Sequence, residues 1–140
     1  MANMLNEFQK RALSSTLCTF EEMIQEIESK LSHPLYRGIL YEELIEESTL
    51  KNKKEIANKI SFARDALDKL QKQFGLEKRI VEIKRQVIGK LYYCLQIIEA
   101  AKAKKLKGYG AVADDLENNL DPQINEINRV IRELIKAIES

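Results

Sequence analysis

Residues 13–31 read LSSTLCTFEEMIQEIESKL, and their apolar side chains Leu13, Leu17, Phe20, Ile24, Ile27 and Leu31 step by four, three, four, three and four. A helix turns about 100° per residue, so these steps return every one of those side chains to a single face, whereas a strand would scatter them over two. The stretch predicts a long amphipathic helix from about Leu5 to Leu31.

The same rhythm recurs three times. Ile56, Ile60, Ala63, Leu67, Leu70 and Phe74 line a second helix, which Ser48 or Thr49 can cap and which Gly75 can stop by taking the left-handed conformation. Ile80, Ile83, Val87, Leu91, Leu95 and Ile98 line a third, which runs into a lysine-rich turn before Gly108. Asp121 and Pro122 open a fourth, a side-chain acceptor followed by proline at the first helical position, with Ile124, Ile127, Ile131, Leu134 and Ile138 as its stripe.

Four amphipathic helices in one short chain predict an all-α protein, an antiparallel up-down-up-down four-helix bundle with residues 1–140 as a single domain. The Phe74-Gly75-Leu76 junction makes the second and third helices antiparallel neighbours. The first three helices would span roughly 40, 37 and 46 Å and the fourth only about 27 Å. A short helix before the fourth, within Ala111–Leu120, is therefore expected to cover the uncovered end, because Val112, Leu116 and Leu120 would share one face. The connection Ser32–Glu47 exceeds the two to about eight residues usual between bundle helices. His33-Pro34 ends the first helix, a short helix is expected around Tyr41–Glu47, and the apolar Leu35, Tyr36, Ile39, Leu40, Tyr41, Leu44 and Ile45 are expected to pack on the bundle.

Composition agrees with long helices. Charged residues make up 32% of the 140, against roughly 25% in an average globular chain, while glycine numbers five and proline two. A chain of this length can bury one well-formed core without staples. Cys18 and Cys94 are too few and too far apart for a disulfide framework or a zinc site, so they read as buried thiols in a reducing compartment. No signal-like segment and no run of roughly 20 apolar residues is present, which predicts a cytoplasmic protein that does not enter a membrane.

Several kinds of chemistry lack their residues. A di-iron bundle needs two Glu-x-x-His motifs, and this chain has the single histidine His33, placed before a proline as a surface or capping residue. Neither cysteine has a histidine near it in sequence to act as base. Gly108-Tyr109-Gly110 follows no strand and precedes no Gly-Lys-Ser or Gly-Lys-Thr, so it reads as a helix stop and a turn. One acidic group stands out: Glu42, Glu43, Glu46 and Glu47 would lie one helical turn apart, as carboxylates around a hydrated Mg²⁺ must. This E-E-x-x-E pattern resembles the first motif of the MazG-like all-α nucleotide pyrophosphatases, which implies metal-dependent hydrolysis of nucleoside triphosphates. The second motif of that family, Glu-x-x-Asp, is missing, since no glutamate here has an aspartate three residues on.

The net charge of +1 conceals opposed blocks. The first helix and the connection after it are acidic, the second and third helices basic, and the closing segment acidic again. In an up-down-up-down order this predicts a basic side and an acidic side. Lys102, Lys104, Lys105 and Lys107 with Tyr109 form the candidate anion- or partner-binding cluster, and Glu42, Glu43, Glu46 and Glu47 the candidate acidic patch. With strong packing signals and no complete catalytic constellation, the expected function is a non-enzymatic protein-protein interaction module, a homodimer being one form of it, with no cofactor. The alternatives are weak, non-specific binding of nucleic acid or another polyanion on the basic side, and the nucleotide pyrophosphatase.

Overall fold

The computed structural model describes residues 4–140, and among them it contains six α-helices, one 3₁₀ turn and no strand. The helices are α1 (Glu7–Ser32), α2 (Glu47–Lys51), α3 (Lys53–Phe74), α4 (Ile83–Glu99), α5 (Ala103–Leu106) and α6 (Leu116–Glu139), with the 3₁₀ turn at Lys107–Tyr109. They fall into two compact units, Met1–Arg79 and Ile80–Ser140.

In the first unit α1 packs on α3. Asn6 starts α1 with a reciprocal cap: its side chain accepts from the Gln9 N–H at 2.8 Å, and the Gln9 side chain accepts from the Asn6 N–H at 2.9 Å. At the other end the His33 N–H donates to the Ser29 carbonyl, and the His33 ring Nδ1 lies 3.0 Å from the same oxygen, so the one histidine caps a helix. Gly75 ends α3 at φ 62°, as expected, and lets the Leu76 N–H reach back to the Gln71 carbonyl at 3.0 Å. Leu76 is thereby buried near Leu17 and Leu67, while Ile24 and Ile60 are buried further along the same helix pair. Arg64 donates to the Glu28 carboxylate at 2.7 Å, while Ser14 near the opposite end of α1 donates to the carbonyl of Glu77 just past α3. That register makes α1 and α3 antiparallel.

The expected tight junction after Phe74 is not what forms. Residues 75–82 are an extended strap, and Ile80, assigned to a helix stripe, is exposed within it. The cause lies in the anchors: Gln71 Nε2 donates to the Leu76 carbonyl at 3.0 Å and Arg79 pairs with Glu22 at 2.9 Å, which hold residues 76–79 on α1 and α3.

In the second unit α4 and α5 pack on α6. Lys84 reaches the Glu139 carbonyl at 3.1 Å and Asn128 reaches Glu99 at 3.0 Å, so α4 and α6 are also antiparallel. The seam buries Ile124, Asn128, Ile131 and Ile135 of α6 together with Ala103. The stripe expected on α6 is thus rotated: Ile124 and Ile131 are inside, but Ile127 and Leu134 stand half-open and Asn128 and Ile135 take their place.

Three boundaries differ from expectation here. The third helix stops at Glu99 instead of continuing to Gly108, and the lysines beyond it sit on α5 and the 3₁₀ turn. The short helix before α6 is α5 at 103–106, whereas Leu116 and Leu120 of the expected segment belong to α6 itself. That helix opens at Leu116, with Pro122 inside it. A proline this close to the start removes one backbone bond in the second turn and leaves the rest of the ladder intact.

The charge blocks meet inside each unit. Acidic α1 lies against basic α3, joined through Arg64 and Glu28, and this hydrogen bond holds the Glu28 carboxyl below the usual range. Within each unit one helix of each sign packs on the other, α1 on α3 and α4 on α6.

Candidate functional site

The connection between α1 and α2 is the least ordinary part of the chain. The Glu43 N–H donates to the Tyr36 carbonyl at 2.8 Å and the Gly38 N–H to the Tyr41 carbonyl at 3.0 Å, with an antiparallel bridge between Arg37 and Glu42. Those bonds close a two-residue turn at Ile39-Leu40. No non-glycine residue among those described has positive φ, so this is not one of the primed turns that match strand twist. The ladder consists of one bridge.

The resulting finger is well anchored. Tyr36 and Tyr41 ring centroids lie 5.1 Å apart, and a Cβ on Gly38 would meet the far end of the Tyr36 side chain, which would have to shift to admit it. The Glu43 carboxylate accepts from the Tyr36 N–H at 2.9 Å and pairs with Lys30 of α1. The Lys30 hydrogen bond, with help from that amide, holds the Glu43 carboxyl below its ordinary range, and Glu43 in turn raises Lys30. Leu35 and Ile45 at the base are half-buried, as expected.

The tip contradicts expectation. Ile39 is 98% exposed, Leu40 96% and Leu44 90%, so these side chains do not pack on the helices. A turn whose two corner residues are both aliphatic has no local signal that distinguishes outward from inward. Only Gly38 and the unbroken polarity of Glu42-Glu43 hinted that the chain reverses here.

The same geometry dissolves the acidic quartet as a metal site. Residues 41–46 are not helical: Glu42 lies on one arm of the finger, Glu43 is engaged by Lys30, Glu46 precedes α2, and Glu47 is its first residue, 3.9 Å from Lys51. The helical spacing on which the E-E-x-x-E likeness rested is absent. Among the described residues no group of three or more His, Cys, Asp or Glu is placed to hold a metal ion. Cys18 and Cys94 are free and half-buried, less enclosed than expected.

The basic cluster survives as a surface. Lys102 pairs with Glu99 at 2.9 Å, but Lys104, Lys105 and Lys107 make no ion pair among the described residues, and Tyr109 beyond them is 92% exposed. Tyr93 and Ile97, four apart on α4, are both exposed. An apolar cleft of about 500 Å³ also opens in the first unit, lined by Phe20, Ile24 and Ile27 of α1 and Ile56, Ile60 and Ala63 of α3.

No family model matches the chain, and no match is found among curated proteins or solved structures. No helix among the described residues is long and apolar enough to cross a membrane.

Proposed function

We propose that this chain is a non-enzymatic helical interaction module of the cytoplasm, with the finger as its contact element. The observation that carries the reading is the pair of fully exposed aliphatic side chains, Ile39 and Leu40, on a turn braced by hydrogen bonds, a tyrosine pair and an ion pair. Scattered surface leucines are ordinary, but a rigid display of clustered ones marks a binding surface. The free thiols of Cys18 and Cys94 suit a reducing compartment.

The finer architectural reading belongs to the same proposal: the four long helices close an antiparallel up-down-up-down bundle as one domain. Half-open rows support it, Phe20, Met23 and Ile27 on α1 and Ile127, Val130 and Leu134 on α6, each at the spacing of a packed face.

The test is retention of protein partners, including a second copy, by immobilised wild-type chain and by the Ile39→Asp, Leu40→Asp variant. Partners lost with the variant support the module; a wild-type chain that stays monomeric and retains nothing refutes it.

A further inference from the structure

A cleft lies between α1 and residues 75–79, and we propose that it binds a small molecule through a phosphate monoester group. Its volume is about 420 Å³, within the usual range of small-molecule sites, and its lining includes Lys10, Arg11, Lys78 and Arg79 with the hydroxyls of Ser14 and Ser15. Arg11, Ser14, Ser15 and Cys18 come to one side of α1 because they lie three, four and seven residues apart. The opposite wall is tied down. Gln71 holds the Leu76 carbonyl, the Ser14 hydroxyl donates to the Glu77 carbonyl at 3.4 Å, and Arg79 pairs with Glu22. The donors are thus positioned before a ligand arrives, which lowers the cost of binding, and every lining residue belongs to the first unit. Ser14, Cys18 and Lys78 also line an adjoining cavity of about 320 Å³, to which Leu17 and Leu76 contribute an apolar wall.

Charge selects the ligand. Glu22 holds Arg79, and Glu7 stands 3.7 Å from Lys10, so these two cations are already matched. Arg11 and Lys78 make no ion pair among the described residues, and Glu77 is the one carboxylate of the first cleft left to oppose them. The excess is positive. A phosphate monoester brings about 1.5 to 2 negative charges at neutral pH and three acceptor oxygens, which an arginine fork, an ammonium and hydroxyls can share from different directions. A carboxylate offers one charge and two oxygens in a single plane. The wall of Leu17 and Leu76 suits a compact apolar body attached to the phosphate and contributes little to phosphate alone.

Phenyl phosphate, inorganic phosphate, benzoate and phenol, each titrated into the isotope-labelled full chain at constant ionic strength, test the site through amide chemical shifts. Phenyl phosphate is expected to saturate in the millimolar range with its shifts confined to residues 10–18 and 75–79. Inorganic phosphate should act on the same amides about tenfold more weakly, with benzoate and phenol weaker than phenyl phosphate. Arg11→Glu and Lys78→Glu, each shown by circular dichroism to be folded, should weaken phenyl phosphate by about tenfold or more, whereas Lys104→Glu with Lys105→Glu leaves it unchanged. No saturable shift with phenyl phosphate overturns the proposal, as do shifts spread over lysines throughout the chain and binding indifferent to both cleft variants. Benzoate binding as tightly would make the site one for anions at large, and phenol binding as tightly an apolar pocket; either overturns it. The Ile39→Asp, Leu40→Asp variant should bind phenyl phosphate as wild type does, so the cleft and the interaction module stand or fall separately.

Discussion

The Asp121 carboxylate accepts a hydrogen bond from the Ala103 N–H at 2.9 Å, across 18 residues of chain. Asp121 therefore caps α5 from within the body of α6, in place of starting its own helix before Pro122. The bond satisfies an amide at the start of α5 that Lys102, the residue before it, cannot. Asp121→Ala should lower stability by about 0.5–2 kcal/mol, the usual loss for a capping acceptor, and Asp121→Asn by less. Urea unfolding followed by circular dichroism measures both; equal stability of all three proteins would remove the capping role.

Asn128 is the buried polar residue in the α4–α6 seam, 3% exposed between Ile124 and Ile131. Its amide nitrogen donates to Glu99, while its Oδ1 has no partner. A lone polar group in an apolar seam fixes register more than it adds stability. Asn128→Leu is expected to melt at the same temperature or higher, with broader amide resonances as alternative registers become available. Asn128→Asp places a second carboxylate beside Glu99 and should lose about 3 kcal/mol at neutral pH, recovering part of it in acid as the new carboxyl protonates. A stable, pH-indifferent Asp variant would show that the site is wetter than its burial implies.

These two residues mark where sequence reading stops. The helices were legible because three- and four-residue steps are a property of one segment at a time, and Gly75 announced its stop through a conformation few other residues take. Phase was less legible: the Ile124, Ile127, Ile131, Leu134 row is equally good helix whether Ile127 or Asn128 faces α4, and only the partner decides. Asp121-Pro122 carried a genuine start signal that a tertiary acceptor role overrode. The lysine and glutamate clusters could be named in advance, but their status depended on which members had a partner, and Glu99 and Lys30 are remote or ambiguous in sequence.

Phase gives a direct comparison. Ile131 is buried and Ile127 half-open on the same helix. Ile131→Ala should destabilise by about 2–5 kcal/mol through lost burial and a residual cavity, and Ile127→Ala by less. Denaturant titration of the two variants decides it; a reversed order would mean that α6 is rotated.

The finger should respond to its own anchors. Gly38→Ala must push the Tyr36 ring off Tyr41, and Glu43→Gln removes the charge that holds Lys30. Both are expected to speed amide exchange at Gly38 and Glu43 and leave the helices protected. Because the Glu43 carboxyl titrates below its ordinary 4.5, its contribution is complete above that value and is lost only as pH falls through the lower, folded-state value. The Tyr36 amide resonance should hold steady from neutral pH to about 4.5 and shift below it. A shift centred near neutrality would assign the anchor to another group.

Polyanions offer the last check on the basic face. Lys104, Lys105 and Lys107 make no ion pair among the described residues, and exposed Tyr109 beyond them can stack on a base. Three free cations release few counterions, so the logarithm of affinity should fall against the logarithm of salt with a slope of only about −2 to −3. Binding of single- or double-stranded nucleic acid is therefore expected to be weak, indifferent to sequence and nearly gone at physiological salt. Fluorescence anisotropy at low and physiological salt reads the slope. Tight, sequence-selective, salt-tolerant binding would instead make nucleic-acid recognition the principal role of the chain, because three lysines without base-edge contacts supply none of that selectivity.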